Sequence, residues 1–143
     1  MTGVPSVIAL IPARAGSQRI PNKNIRELNG RPLMAYTIAA AQESGVFDKI
    51  LLATDSMEYA LTAQKYGIEA FLRFKSNDLE PDYAWVSRSP LWEADCFAIL
   101  RPTSPFRTAD TITRAWQQWC ERGEAFDSLR AIELCKQHPG KMW

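Results

Sequence analysis

Three cations in one short stretch frame the chemistry this chain could do. Ile11 to Asn24, "IPARAGSQRIPNKN", carries Arg14, Arg19 and Lys23 together with Gly16, Ser17, Asn22 and Asn24, and no carboxylate. A Gly-Ser turn can aim backbone N–H groups at one point, forming an anion-binding nest. Arginine presents a planar fork to phosphate oxygens, and lysine a compact point charge. A carboxylate in the same loop would repel a polyanion. The pattern suits a triphosphate. The plainer reading is a solvated charged loop, and the position directly after an apolar run argues against it. Farther along, Arg73 closes the run "EAFLR", and "RPTSPFR" (Arg101 to Arg107) follows a further apolar run. Neither the GxxxxGKS/T nor the GxGxxG pattern occurs, so a phosphate loop of another design is required.

These residues need elements to position them. Val7 to Ile11 is a continuous apolar run, the mark of a strand buried on both faces. Pro32 suits the first position of a helix, with Leu33, Tyr36, Ile38, Ala40 and Ala41 as its apolar face and Gly45 as its stop. "KILLATD" (Lys49 to Asp55) predicts a second strand. Asp55 and Glu58 have capping-box spacing and would start a helix ending near Tyr66 and Gly67. Glu69 to Arg73 predicts a third strand. "DYAWVSRSPLWEAD" predicts a short helix and then a turn, because Pro90 breaks any longer helix. Cys96 to Leu100 is a fourth strand. Thr108 then caps a helix whose Ile112, Ala115, Trp116, Trp119 and Cys120 share one apolar face, with Gly123 as its stop. Ser128 to Leu134 predicts a fifth strand. Strands alternating with helices at these lengths make an α/β fold, a three-layer, doubly wound, mostly parallel sheet. Ligands in such folds sit beyond the carboxyl ends of the strands. The basic loop, Thr54-Asp55, Arg73 and Arg101 to Arg107 would then share one rim.

Bulk properties narrow the function classes. The 143 residues are about one domain, with 46% hydrophobic and 23% charged residues. A net charge of +1 gives no global argument for nucleic acid or membrane binding. No apolar run approaches the ~20 residues of a membrane span, and the N-terminus lacks the basic region of a signal peptide. Cys96, Cys120 and Cys135 are odd in number and widely spaced, which suits reduced thiols in a cytoplasm. His138 is the only histidine. It excludes an imidazole-rich metal cage, and no nearby carboxylate orients it, so it is read as structural.

"PARAGSQRIPNKNIRELNGRPLMAYTI" resembles the signature of the acylneuraminate cytidylyltransferases, the CMP-sialic acid synthetases and their relatives for other nonulosonic acids. "LLATDS", the arginine ending "AFLR", "LRPTSPFR" and "HPGKMW" follow in that family's order. The resemblance implies a Rossmann-like nucleotide-diphospho-sugar transferase fold, and transfer of CMP from CTP to the anomeric hydroxyl of an acidic keto-sugar. It implies that Arg14 and Lys23 hold the phosphates, with Lys23 stabilising the transition state. Gly16 and Ser17 supply loop backbone, and Asn24 meets ribose or phosphate. Ala13 lies where backbone reads the cytosine edge, and Arg73 where a side chain helps hold the nucleotide. Arg101, Thr103 and Ser104 match the segment facing the sugar. Plainer readings stand beside these: Arg14 pairing with Asp55, Lys23 as plain surface, Arg73 solvating a strand end, Thr103 and Ser104 as turn formers, Asp55 as a helix cap.

This chain departs from the pattern at Arg19, where glycine is common, and at Arg101, where glutamine is frequent. The segment between Arg73 and Pro102 is shorter than usual. Family members continue well beyond Trp143. By resemblance, residues 1–143 would be a nucleotide-binding catalytic domain without the C-terminal portion that brings dimerisation and acidic Mg²⁺ ligands. Mg²⁺ is expected as a shield for the phosphates, with no ligand assignable, and a homodimer is implied by resemblance alone. Two other readings remain open: a nucleotidyltransferase of the same fold with another NTP or sugar, and a non-catalytic nucleotide-binding domain.

Overall fold

The structure, a computed structural model, describes residues 4–73, 81–90, 94–122 and 125–132. Its centre is a parallel sheet formed by β1 (Val7–Pro12), β4 (Lys49–Thr54), β5 (Glu69–Leu72) and β6 (Cys96–Ile99), in the order β5-β4-β1-β6. The sequence "VIALIP" forms the inner strand because both of its faces are covered. Ala9 and Ile11 face one layer and Ile8 and Leu10 the other, the period-two alternation of a strand. The first layer holds α1 (Leu33–Ser44), α2 (Met57–Lys65) and α4 (Ala109–Arg122), through Met34, Ile38, Tyr59, Ala63 and Ile112. The second holds the short α3 (Asp82–Val86), whose Trp85 and Val86 pack on Ile8, Leu10, Leu51 and Ala53. This is the expected three-layer α/β arrangement. The chain runs from β1 outward to β4 and β5, then returns to β6 on the other side of β1. That reversal makes a topological switch point at the carboxyl end of β1, where open α/β sheets bind ligands.

Several local expectations change. Between the basic loop and α1 lies a small hairpin, β2 (Glu27–Leu28) with β3 (Arg31–Pro32), that the sequence reading missed. Its two-residue turn, Asn29-Gly30, has φ of 50° and 78°. Asn-Gly is the pair that best tolerates such a turn, so the signal was present. Pro32 therefore closes β3 and precedes α1, which starts at Leu33. Of the expected face of α1, Ile38, Ala40 and Ala41 are buried and Leu33 and Tyr36 half-buried, while Met34, Ala35 and Thr37 are buried as well. Asp55 does not cap α2. Ser56 does, its Oγ accepting the Tyr59 N–H at 3.4 Å. Thr108 caps α4 as expected, accepting the Thr111 N–H at 3.3 Å. Of that helix's apolar stripe only Ile112 is buried. Ala115, Trp116 and Trp119 are half-buried and Cys120 is exposed, so the expected apolar face is only partly covered. Residues 128–132 form no strand; Glu133 and Leu134 lie outside the described residues. Gly123, Cys135, His138 and the rest of "HPGKMW" also lie outside them.

Candidate active site

The three rim cations project from backbone that the sheet itself pins. The ends of β1, β5 and β6 each carry one further ladder-type hydrogen bond past their last residue. Ala13 N–H donates to the Ala53 carbonyl at 2.9 Å, Arg73 N–H to Thr54 at 2.8 Å, and Leu100 N–H to Leu10 at 2.9 Å. Arg14, Arg73 and Arg101 therefore leave the sheet from fixed points on one edge. They line a cleft of about 310 Å³ with Ser17, Lys23, Asn24, Asp82, Trp85 and Thr103.

The loop after β1 is braced by residues distant in sequence. Asp55, at the end of β4, accepts the Ala15 N–H at 2.8 Å. One amide of the expected nest is thus already taken, and the carboxylate read as a helix cap holds the loop instead. Asn24 is only 5% exposed, and its side-chain amide donates to the Arg14 carbonyl at 3.1 Å. It lines the cleft while fixing the backbone that carries Arg14. Gly16 has φ of 74°, and a Cβ there would meet nothing within 4 Å. The left-handed dihedral, not crowding, calls for glycine. Asn22 is left-handed too, at φ 50°, and its carbonyl accepts the N–H groups of Ile25 and Arg26. That 3-10 turn (Lys23–Ile25) sets the half-buried Lys23 on the cleft wall.

Of the residues singled out from sequence, Arg14, Ser17, Lys23, Asn24, Arg73, Arg101 and Thr103 meet in the cleft. Ala13, Gly16 and Ser104 do not line it. Ala13 is fully buried with its N–H engaged by Ala53; Gly16 shapes the loop. Ser104 forms turn bonds, its N–H to the Arg101 carbonyl at 3.4 Å and its carbonyl from Arg107 N–H at 3.2 Å. Arg107 Nη1 also donates to the Arg101 carbonyl at 3.4 Å, and burial lowers its guanidinium pKa.

Two cleft residues escaped the sequence reading. Asp82 and Trp85 sit three apart on α3, a spacing that places side chains on one helix face. The Trp85 indole N–H donates to Asp82 Oδ1 at 3.1 Å, and Asp82 Oδ2 accepts from Arg101 Nη2. The Arg73 guanidinium lies over the Trp85 ring, 5.3 Å from its centre, a cation–π geometry. An acid three residues before a tryptophan was the available signal. Among the described residues no group of three or more His, Cys, Asp or Glu could hold a metal ion. Asp82, the carboxylate on the cleft wall, has both oxygens engaged, by Trp85 and by Arg101.

A cleft walled by cations at the switch point of a parallel sheet has the chemistry to take a polyanion. Residues 8–133 match the family model described as cytidylyltransferase. This chain belongs to the cytidylyltransferase family. It is 40% identical over 113 residues to the N-acylneuraminate cytidylyltransferase of Escherichia coli O18:K1:H7, covering 76% of this chain and 27% of that one. It is 39% identical over 139 residues to the CMP-N,N'-diacetyllegionaminic acid synthase of Legionella pneumophila, covering 90% of this chain and 59% of the relative. The family member described here thus spans less than two thirds of the length of these relatives. Among solved structures, CMP:2-keto-3-deoxy-manno-octonic acid synthetase in complex with CTP superposes with a TM-score of 0.73 at 24% identity, covering 82% of this chain and 48% of that one. That likeness supports the fold.

Proposed function

We propose that the protein to which this chain belongs transfers CMP from CTP to the anomeric hydroxyl of an acidic nonulosonic sugar. The sugar oxygen forms a bond to the α-phosphorus as the bond to the bridging β-oxygen breaks. Pyrophosphate leaves with the electron pair, and the hydroxyl proton is released. Such a step asks for in-line positioning and for charge stabilisation on the leaving phosphates. The carrying observation is the convergence of Arg14, Lys23 and Arg73 on one cleft at the switch point. In this reading Lys23 and Arg14 hold the phosphates, with Lys23 meeting charge that develops on the leaving group. The Gly16–Ser17 turn lets the phosphates approach the backbone. Arg73, backed by Trp85, holds the nucleotide, and Arg101 and Thr103 face the sugar. The names of the two relatives described above, for N-acylneuraminate and for N,N'-diacetyllegionaminic acid, support the substrate class. Charge stabilisation is assigned to this chain's cations, and no step is assigned to Mg²⁺.

The same reading places the protein in a reducing cytoplasm, which the free thiols of Cys96 and Cys120 support. It also makes it a homodimer, a matter for sedimentation. Calorimetric titration with CTP, UTP and ATP is the direct test. CTP should bind at least about tenfold more tightly than the others, a difference of about 1.4 kcal/mol. Equal affinities would replace this reading with a nucleotidyltransferase for another NTP. Binding without pyrophosphate release on addition of N-acetylneuraminate would favour a nucleotide-binding module.

A further inference from the structure

Asp82 is out of place on charge alone. The cleft is lined by Arg14, Lys23, Arg73 and Arg101, and Asp82 is the one carboxylate among the described residues that line it. A carboxylate in a cleft for a polyanion repels the ligand, unless it serves a cation needed elsewhere. Asp82 does so. Its Oδ2 takes Arg101 Nη2, and its Oδ1 takes the indole N–H of Trp85. Trp85 is 2% exposed and anchored in the core, so the carboxylate has a rigid support. The Arg101 side chain is 55% exposed and has no other guanidinium hydrogen bond among the described residues. A fork held by one Nη keeps its remaining donors for a ligand carboxylate. The Arg73 guanidinium lies over the Trp85 ring.

We propose that Asp82 and Trp85 are positioning residues for the acceptor end of the cleft: Asp82 orients Arg101 to receive the sugar's carboxylate, and Trp85 fixes Asp82 while supporting Arg73 at the nucleotide end. This rests on the nucleotide–acidic sugar reading above. It deepens that reading by tying acid selectivity to a pair on α3 rather than to Arg101 alone. Holding the arginine in advance reduces the side-chain entropy lost on binding. The indole N–H and the ring act separately, so the two ends can be separated by substitution.

The test is calorimetric binding of CTP, of CMP and of CMP-N-acetylneuraminate as an acidic CMP-sugar probe. The wild-type chain should bind the CMP-sugar more tightly than CMP. In Asp82→Asn the Trp85 bond survives and the charge pair does not. CTP affinity should stay within about twofold, while the CMP-sugar advantage falls about tenfold. Trp85→Phe keeps a ring beneath Arg73 and loses the donor, so it should reduce the same advantage and leave CTP unchanged. Trp85→Leu removes both and should weaken CTP as well. If that variant does not fold, Asp82→Asn and Trp85→Phe still decide the question. A purely structural role would lower CTP and CMP-sugar affinity by the same factor, and that result overturns the proposal. So does an advantage that survives Asp82→Asn, or grows because Asp82 had been competing for Arg101. A wild-type chain that binds no CTP overturns the underlying reading and the proposal with it, whereas normal CTP binding with any of those results overturns the proposal alone.

Discussion

The loop after β1 and the loop after β6 both leave the same edge of the sheet, yet they are held differently. The first is tied by side chains to its own backbone: Asp55 to the Ala15 amide at 2.8 Å and Asn24 to the Arg14 carbonyl at 3.1 Å. The second, Arg101 to Arg107, has its backbone closed by local turn bonds of 3.2 to 3.4 Å, and its Arg101 side chain reaches out to Asp82 on α3. Its Arg101, Thr103, Ser104 and Phe106 are exposed. A loop braced from β4 cannot change without loosening the sheet edge. A loop closed by its own turns can exchange side chains at little cost to the fold. Under the proposed function, that division sets the triphosphate against the braced loop and the sugar against the loop closed by its own turns.

The sharpest way to break this comparison is to remove the cation held by the braced loop. Lys23→Ala should lower the rate of pyrophosphate release by about a hundredfold or more, the scale seen when one preorganised transition-state donor is lost. CTP affinity should fall as well. An unchanged rate would mean that the loop binds without acting on the leaving group. Next comes the brace. Asp55→Ala leaves the Ala15 amide without its carboxylate, a loss of about 1.5–3 kcal/mol for a hydrogen bond to a charged group. It should appear in thermal unfolding and in CTP affinity together. Asp55→Asn, which keeps an acceptor, should recover part of both. If Asp55→Ala lowers stability and leaves CTP binding unchanged, the brace serves the fold and not the site. Gly16→Ala is a smaller change of the same kind. A Cβ at φ 74° meets no neighbour, so only backbone strain of about 1–3 kcal/mol opposes it. It should weaken CTP binding more than it lowers the melting temperature, because an exposed loop can relax its dihedral by leaving the bound shape.

How much of this was legible beforehand follows the same division. The four strands of the central sheet, the rim and the cluster of Arg14, Lys23, Arg73 and Arg101 came from local patterns: apolar runs, and cations placed directly after them. Asp55 was misassigned because its true partner, Ala15, lies 40 residues away, whereas the helix start it resembles is adjacent. Ser56, one residue on, won the cap. The link from Asp82 to Arg101 spans 19 residues and joins a helix to a loop on a different strand. No spacing rule reports such a pair, although the Asp82–Trp85 half of it was readable as one helix face. The stripe on α4 was periodic and correct as a pattern. Periodicity says which residues share a face, not what covers it, so Trp116 and Trp119 could be placed together but not assigned a depth.

The smallest expected effect lies at the opposite end of β6, where side chains again brace the backbone. Asp95, just before Cys96, accepts both the N–H and the Oγ–H of Ser6, each at 2.9 Å, and its own N–H donates back to Ser6 Oγ at 3.0 Å. These contacts clip the entry of β6 to the entry of β1. The Ser6 backbone bond, then the hydroxyl bond, lowers the Asp95 carboxyl pKa below its ordinary value. A carboxyl depressed in the folded state adds stability above its unfolded pKa and loses it as pH falls through the folded pKa. The clip should therefore be intact at neutral pH and fail only in acid. Ser6→Ala removes the hydroxyl but keeps the backbone donor, the larger cause of the shift. The acid limb of its unfolding curve should move only slightly toward neutral pH, with the neutral plateau nearly unchanged because the pair is exposed. Asp95→Asn should flatten the part of the acid dependence that Asp95 contributes. If Asp95→Asn leaves the acid limb where it was, the carboxylate adds nothing measurable to the ladder that already joins β6 to β1.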